Sequence, residues 1–546
     1  MAALVTHNCL TSADDIKSSM MEVGNGLRAD DMDVLDWWVI ATYLVLMLLG
    51  AWYLGRKQRS RADYYLAGKS LPSWTLATSI VATQCSTNSL LGAPAFVGFV
   101  AGGGLLWLQY ELAVPLAMLL LCLVFMPIRK ANVISIYEFL EQRLDVRCRL
   151  VASGCFLFFR GVATGVTVYG VASVIALLTG VSYTTAVILL MGITIAYDLM
   201  GGMKAVVISD VVQMVLLFGA VVLALLWLSD PLFNHYHSLT DRTQALANDW
   251  GLMSGNQYGF WPMFFGGLFL YVAYYGCDQS QAQRLLSANT PATTQTVLML
   301  NGLLRFPLVL CYCLVGLGLA AYAIEQPTFI ASLPTTSNGA PNFNLVFPAF
   351  VSLEFAPGLA GLAMVGLFAA AMSSIDSALN SLSASTVEDY VNRYSKLSEK
   401  QLFLASKIAT FGWGAFAVLL SYQVEHIAPT VLEAINKVGS LANGPLLAIF
   451  AIAIFAPSIG ASATLFGFIA GLAANILIWL CLPSVSWLWW NLTGLLSAGL
   501  LAIAWAKITG RQISWQPISW QLARWKWQLL LLMTALILLT TIWLQM

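Results

Sequence analysis

Long apolar runs, separated by short polar stretches, set the pattern of this chain. A helix that crosses a bilayer needs roughly 20 mostly apolar residues. Fourteen such segments stand out, beginning near Trp37, Ser73, Gly104, Leu150, Tyr183, Ala205, Phe260, Thr296, Gly358, Leu402, Val431, Ala461, Trp487 and Leu529. The expected fold class is an all-α integral membrane protein with about fourteen transmembrane helices. Residues 1–36 are polar and acidic and lack the basic start and short apolar core of a signal peptide, so they read as a flexible tail outside the cytoplasm. Two loops, about 229–259 and 324–357, are rich in Asn, Thr, Ser and Pro and read as outer caps or gates. No polar stretch is large enough to bury a core of its own, so any chemistry belongs in the membrane bundle.

Composition agrees with this reading: 59% of the residues are hydrophobic and 10% charged, against roughly 25% charged in a soluble protein. Net charge is zero, which gives no reason to expect a nucleic-acid partner. The placement of charge is more telling. With the amino terminus outside, Lys17, Arg28 and Arg242 fall in outward loops, and Arg160, Arg305 and Lys437 lie within segments. All other Lys and Arg, as in "RKQRSR" (56–61), "IRKANV" and "KITGRQ", fall on the cytoplasmic side, as the positive-inside rule requires. The expected location is a plasma (cell inner) membrane, crossed many times. The nine cysteines are scattered without a disulfide or metal spacing. The four histidines, His7, His235, His237 and His426, fall in outer or loop regions. With neither a metal motif nor a nucleophile triad, an enzyme is not expected.

Ionisable residues inside a bilayer are costly and mark sites by default. Here they are Glu111, Arg160, Asp210, Arg305, Asp376 and Lys437; the plainer alternative is that they pair and only tie helices together. The second segment carries the run "ATQCSTNS" from Ala82 to Ser89, followed by Gly92 and Pro94. Such a run suits a broken helix whose unwound carbonyls hold an ion or solute near the midplane, or a helix packed closely through small residues. In the ninth segment, Ser373, Asp376, Ser377 and Asn380 recur at i, i+3, i+4 and i+7, with Ser374 beside them. That spacing makes one polar stripe on a helix. Hydroxyls and a carboxylate are the oxygen ligands of a hard cation, and a sodium ion between this stripe and the broken segment would use both features.

Four motifs together resemble the sodium:solute symporter family: "ADYYLAGKSLPSW" (62–74), "GGMKAVVISDVVQ" (201–213), "YYGCDQSQAQRLLSA" (274–288) and "AAAMSSIDSALNSLSASTVEDYV" (369–391). The resemblance spans about residues 37–530. It implies a first helix at 37–55, a ten-helix core at 73–456 built as two five-helix repeats of opposite topology, and three further helices in 457–546. It also implies a sodium ion held by the carbonyls of Ala82, Cys85 and Ala370 and the hydroxyls of Ser373 and Ser374. Some members hold a second sodium near an aspartate that matches Asp210. Asp376 and Ser377 would lie beside it, and Asp376 stands where several relatives are uncharged, so a second sodium and a shared proton are both open.

For the solute, the resemblance points to Gln84, Ser86, Ser89, Glu111, Tyr274, Arg305 and Asn436. Tyr271 and Asp278 replace polar amides of the galactose transporter, so sugar recognition does not transfer. Arg160 lies close to the place where sialic acid transporters use an arginine for a carboxylate, a group that a guanidinium fits; it would otherwise satisfy Glu111 or carbonyls. The implied function is sodium-coupled symport of a small organic solute by alternating access. A carboxylate or acidic sugar is the leading class, and a neutral sugar, amino acid or vitamin the alternative. A channel or a membrane receptor on the same fold are readings of another class. Neither the identity of the solute nor the oligomeric state is legible.

Overall fold

The computed structural model describes residues 32–56, 58, 60–85, 87–251, 258–335, 339–424, 431–517 and 522–546, without the side chains at 88, 424 and 431–438. Its main helices, in chain order, are α1 (Val34–Gly55), α2 (Ser73–Gln84), α3 (Thr87–Gly98), α4 (Gly104–Val124, entered through a 3-10 turn), α5 (Val146–Thr179), α6 (Tyr183–Trp227), α7 (Gly267–Cys277) and α8 (Gln279–Leu286). They continue as α9 (Pro291–Glu325), α10 (Leu359–Ser385), α11 (Glu399–Val424), α12 (Val431–Phe455), α13 (Ala461–Cys481), α14 (Trp489–Ile508) and α15 (Arg524–Gln545). Helix starts follow local chemistry. Asp33 caps α1 in a reciprocal box with Asp36, Asp145 accepts from the amides of Arg147 and Cys148, and Thr290 with Pro291 opens α9.

Among the described residues, 10 helices are long and apolar enough to cross a membrane by length and composition. Each of the fourteen expected segments holds a helix, and the lower number has physical causes. The segments at Tyr183 and Ala205 run together as α6, a 45-residue helix too long for one crossing at about 1.5 Å per residue. Its halves part at Gly202, where φ is 49° and ψ −158°. A side chain there would meet the Tyr64 ring at 2.6 Å. The segments at Ser73 and Phe260 are short because each is broken, and at Val431 the apolar helix with described side chains is limited to Gly439–Phe455.

The two breaks organise the bundle. The first lies at Cys85 (φ −80°, ψ 59°) between α2 and α3. The second lies at Asp278, whose extended backbone (φ −93°, ψ 121°) separates α7 from α8. Five segments run from the start of one broken unit to the start of the next, so the two units enter the bundle with opposite direction, the arrangement of an inverted repeat. Through the centre runs α10. Nearly every residue from Ala363 to Ser385 is buried, and a helix buried all round belongs to a core. Its partners include α2, α6 and α1, and Gly361 lets it approach the Asp36 backbone of α1. Asp36 Oδ1 there accepts from the amides of Gly358 and Gly361, both at 2.7 Å, satisfying donors at the start of α10 that have no partner within the helix.

Candidate sodium and solute site

The polar stripe of α10 meets the broken unit α2–α3. Ser373 Oγ donates to Ala82 O at 3.3 Å and to Ala370 O at 3.1 Å. Ser374 Oγ donates to Thr83 O at 3.0 Å and to Ala370 O at 3.5 Å. The structure thus brings together the carbonyls of Ala82 and Ala370 and both hydroxyls, beside the buried break at Cys85. It adds the Thr83 carbonyl, which sequence reasoning did not select. A set of neutral oxygens at a helix break fits a hard monovalent cation, for which carbonyl and hydroxyl dipoles replace water.

One turn further along, the residues expected around a second cation are arranged differently. Arg284, fully buried, donates through Nε to Ser79 Oγ at 2.6 Å, through Nη1 to Ser280 O at 2.5 Å, and through Nη2 to Asp210 Oδ2 at 3.2 Å and to Ser377 Oγ. Ser79 Oγ in turn donates to Asp210 Oδ2 at 2.5 Å. Asp210 and Ser377 therefore share a guanidinium, while Asp376 reaches it only through Ser377: its Oδ1 accepts from the Ser377 amide at 2.5 Å and from Ser377 Oγ at 3.1 Å, and its Oδ2 has no hydrogen-bond partner. Sequence reasoning placed Arg284 in a cytoplasmic loop because it follows the last apolar residues of its segment. Only the fold of α8, whose eight residues are all buried, carries it inward. Asp198 was missed for the same reason; it is buried at the kink of α6 and accepts from Asn380 Nδ2 at 3.1 Å.

The two in-span arginines have different surroundings. Arg305 is clamped by Glu111, with Nε to Oε2 at 2.7 Å and Nη2 to Oε1 at 2.8 Å, and it also donates to Tyr271 Oη at 2.7 Å. Its guanidinium lies 4.8 Å from the Tyr271 ring centre, and the side chains of the pair are 7% and 0% exposed. Arg160, on α5, does not reach Glu111. It donates through Nη2 to Asp278 Oδ2 at 2.5 Å and to Ser280 Oγ at 2.7 Å and stands 5.6 Å over the Tyr274 ring. Both members of this pair are 21% exposed, and Arg160 Nε has no partner. Tyr274 Oη accepts from Gln281 at 2.8 Å. Ser89 Oγ lies 3.5 Å from Gln84 O, and the Gln84 amide oxygen is buried and unpaired. Ser86 and the side chains of Asn436 and Lys437 lie outside the described residues.

Both ends of the bundle above and below these residues are tied by polar groups. At the end bearing the basic loops, Arg61 binds Glu388 at 2.6 Å and Arg149 binds Asp389 at 2.8 Å. Asp389 also accepts from Ser135 and Ser153 at 2.8 and 2.7 Å. Gln279 of α8 joins this end through Ile134 O and the Ile136 amide, at 2.8 and 2.9 Å. At the opposite end, Gln109, two residues before Glu111, donates to Tyr258 O at 2.7 Å and accepts from the Ala247 amide at 3.1 Å, so the loop after α6 closes over α4.

Comparison with known proteins adds the following. The model of the family described as "Sodium:solute symporter family" matches residues 64–471. The sodium/sialic acid symporter SiaT of Proteus mirabilis is 27% identical over 82% of this chain and 90% of its own length. Sodium-coupled monocarboxylate transporter 1 of Xenopus laevis is 27% identical over 81% of this chain and 71% of its own. A solved structure of a Na+-coupled sialic acid symporter, in its substrate-bound outward-open state, superposes with a TM-score of 0.78 at 25% identity, covering 90% of this chain and 99% of the other.

Proposed function

Because the chain belongs to the sodium:solute symporter family, a family of sodium-coupled membrane transporters and not of enzymes, we propose that its solute is a small carboxylate and that Arg160 receives it. The observation that carries this reading is the contrast between the two arginines. Arg305 is held by both oxygens of a sealed carboxylate, whereas Arg160 is partly accessible and is tied to Asp278 and Ser280 through one nitrogen, Nη2; each guanidinium keeps one buried nitrogen without a partner, Nη1 of Arg305 and Nε of Arg160. Once Nη2 is released by Asp278, the Nε and Nη2 edge of such a guanidinium presents two parallel donors to a carboxylate. Glu111, Arg305 and Tyr271, with Gln84 and Ser89 of the broken unit, then supply hydrogen bonds to the uncharged part of the solute. Relatives described as sialic acid and monocarboxylate transporters support the same class.

One sodium ion is bound by Ala82, Cys85, Ala370, Ser373 and Ser374, with Thr83 contributing a further carbonyl. Arg284 serves as a fixed cation between Asp210 and Ser377, so no second sodium is needed there. Sodium links α2 at its break to α10 and so favours the state in which the solute pocket is complete. The coupling requires no more than this difference in affinity between states. The basic-loop end is cytoplasmic, the amino terminus lies outside, and the inward sodium gradient of a plasma membrane drives uptake. The test is accumulation of labelled sialic acid, lactate, pantothenate, glucose and proline in proteoliposomes, with and without an imposed sodium gradient. Sodium-dependent accumulation of a carboxylate, lost in Arg160→Gln, is expected. Accumulation of a neutral sugar alone would sink the solute assignment.

A further inference from the structure

Asp278 divides two tasks between its two oxygens. Oδ1 accepts from the Ser280 amide at 2.8 Å and from Ser280 Oγ at 2.6 Å, capping the start of α8. Oδ2 accepts from Arg160 Nη2 at 2.5 Å. The first task shapes the break between α7 and α8, and the second ties that break to α5. The remainder of α8 is held by Gln279 to residues 134 and 136, by Gln283 to Tyr65 O and Asn380 Oδ1 at 2.7 and 2.8 Å, and by Arg284 to Asp210. A shift of α8 therefore reaches both the sodium-side stripe of α10 and the loop at the basic end.

We propose that Asp278 holds the place of the solute's carboxylate on Arg160, and that binding exchanges one carboxylate for the other. The inference rests on the carboxylate reading above. Arg160 is a cation that would stand poorly compensated in an apolar bundle without a counter-charge, and a second cation, Arg284, binds the same residue, Ser280. Asp278 supplies the counter-charge while the pocket holds no solute. An arriving carboxylate takes over that role, so the guanidinium stays paired, and Asp278, already partly exposed, turns toward water. What changes is mechanical: the tie from the α7–α8 break to α5 is cut, while the cap made by Oδ1 persists. A neutral solute carries no charge to set against Asp278, so the same pair is a specificity filter. Recognition of the solute and release of α8 become one event.

The exchange predicts a gain of affinity on mutation. Asn and Ser are good helix caps, so Asp278→Asn and Asp278→Ser keep the break and remove only the competing charge. If Arg160 is free of Asp278 about one tenth of the time, removing the competitor tightens binding of a carboxylate about tenfold. Equilibrium binding of labelled sialic acid, lactate and pantothenate to purified protein in sodium is expected to tighten in both variants. It is expected to vanish when Arg160→Gln is added. In parallel, Cys277, buried beside the break, is expected to react faster with an impermeant maleimide in Asp278→Asn without solute, as read by peptide mass spectrometry. Unchanged or weaker carboxylate binding in both Asp278 variants overturns the exchange and leaves the solute class standing. No carboxylate binding by the wild type or by either variant overturns both.

Discussion

Arg284 Nη2 stands 3.2 Å from Asp210 Oδ2, with both side chains wholly buried. An internal guanidinium occupies the interval between α6 and α10 where a mobile cation was an alternative. Removing one partner of a buried pair is more costly than removing both, because the survivor keeps its charge without compensation. Arg284→Gln is therefore expected to destabilise the protein by about 3–5 kcal/mol. The double variant Arg284→Gln with Asp210→Asn is expected to recover most of that loss. Thermal unfolding of the three proteins in one detergent checks this, and equal melting temperatures for the single and double variants would refute it.

The proposed sodium site makes a functional prediction. Ser373 and Ser374 each offer a hydroxyl to the carbonyls of Ala82, Thr83 and Ala370. Losing a hydrogen-bonding or ligand oxygen costs about 1–1.5 kcal/mol. Ser373→Ala with Ser374→Ala should thus raise the sodium concentration for half-maximal uptake by about 30–150-fold. An unchanged sodium dependence in proteoliposome uptake would place the ion elsewhere.

Stoichiometry follows from the fixed cation. With Arg284 between Asp210 and Ser377, one sodium ion is expected to enter per solute. The reversal potential of uptake, measured while membrane voltage is varied at fixed gradients, gives this ratio directly. A value of two sodium ions would mean that a cation also binds near Asp376.

Glu111 and Arg305 should show the same asymmetry as Asp210 and Arg284, with a different functional outcome. Glu111→Leu leaves Arg305 buried without its bidentate partner and is expected to cost about 3–5 kcal/mol. Glu111→Leu with Arg305→Met is expected to regain stability in thermal unfolding yet show no solute uptake, because the polar groups of the proposed solute site are gone. Uptake by the double variant at the wild-type rate would remove this pair from the solute site.

At the turn inside α6, Gly202 holds a positive φ and packs under Tyr64. An alanine there would bring a methyl group to 2.6 Å from the Tyr64 ring and 2.8 Å from its carbonyl. Backbone strain alone costs about 1–3 kcal/mol, and the clash adds to it. Gly202→Ala is expected to lower the melting temperature, whereas Gly192→Ala, where a Cβ meets nothing, should leave it unchanged.

The sequence by itself determined the class of the fold and marked the polar run Ala82–Ser89 and the hydroxyl pair Ser373–Ser374 as places of interest; that the run is a break and not a closely packed helix was decided by the structure. The class, the run and the pair are local properties. Apolar length is dictated by bilayer thickness, and a polar run within it is too costly to persist without purpose. Glu111, Arg160 and Arg305 were legible for the same reason, each an isolated charge in an apolar stretch. Tertiary structure alone decided how the charges pair. Glu111 lies much closer in sequence to Arg160 than to Arg305, yet it binds Arg305, 194 residues away. Arg284 looked like a loop residue because α8 is short and polar, and nothing in a one-dimensional pattern marks a polar helix as buried. Its burial depends on partners from α2, α6 and α10 that meet its side chains one by one. The cost of an unpaired charge then settles which partner each carboxylate and guanidinium keeps.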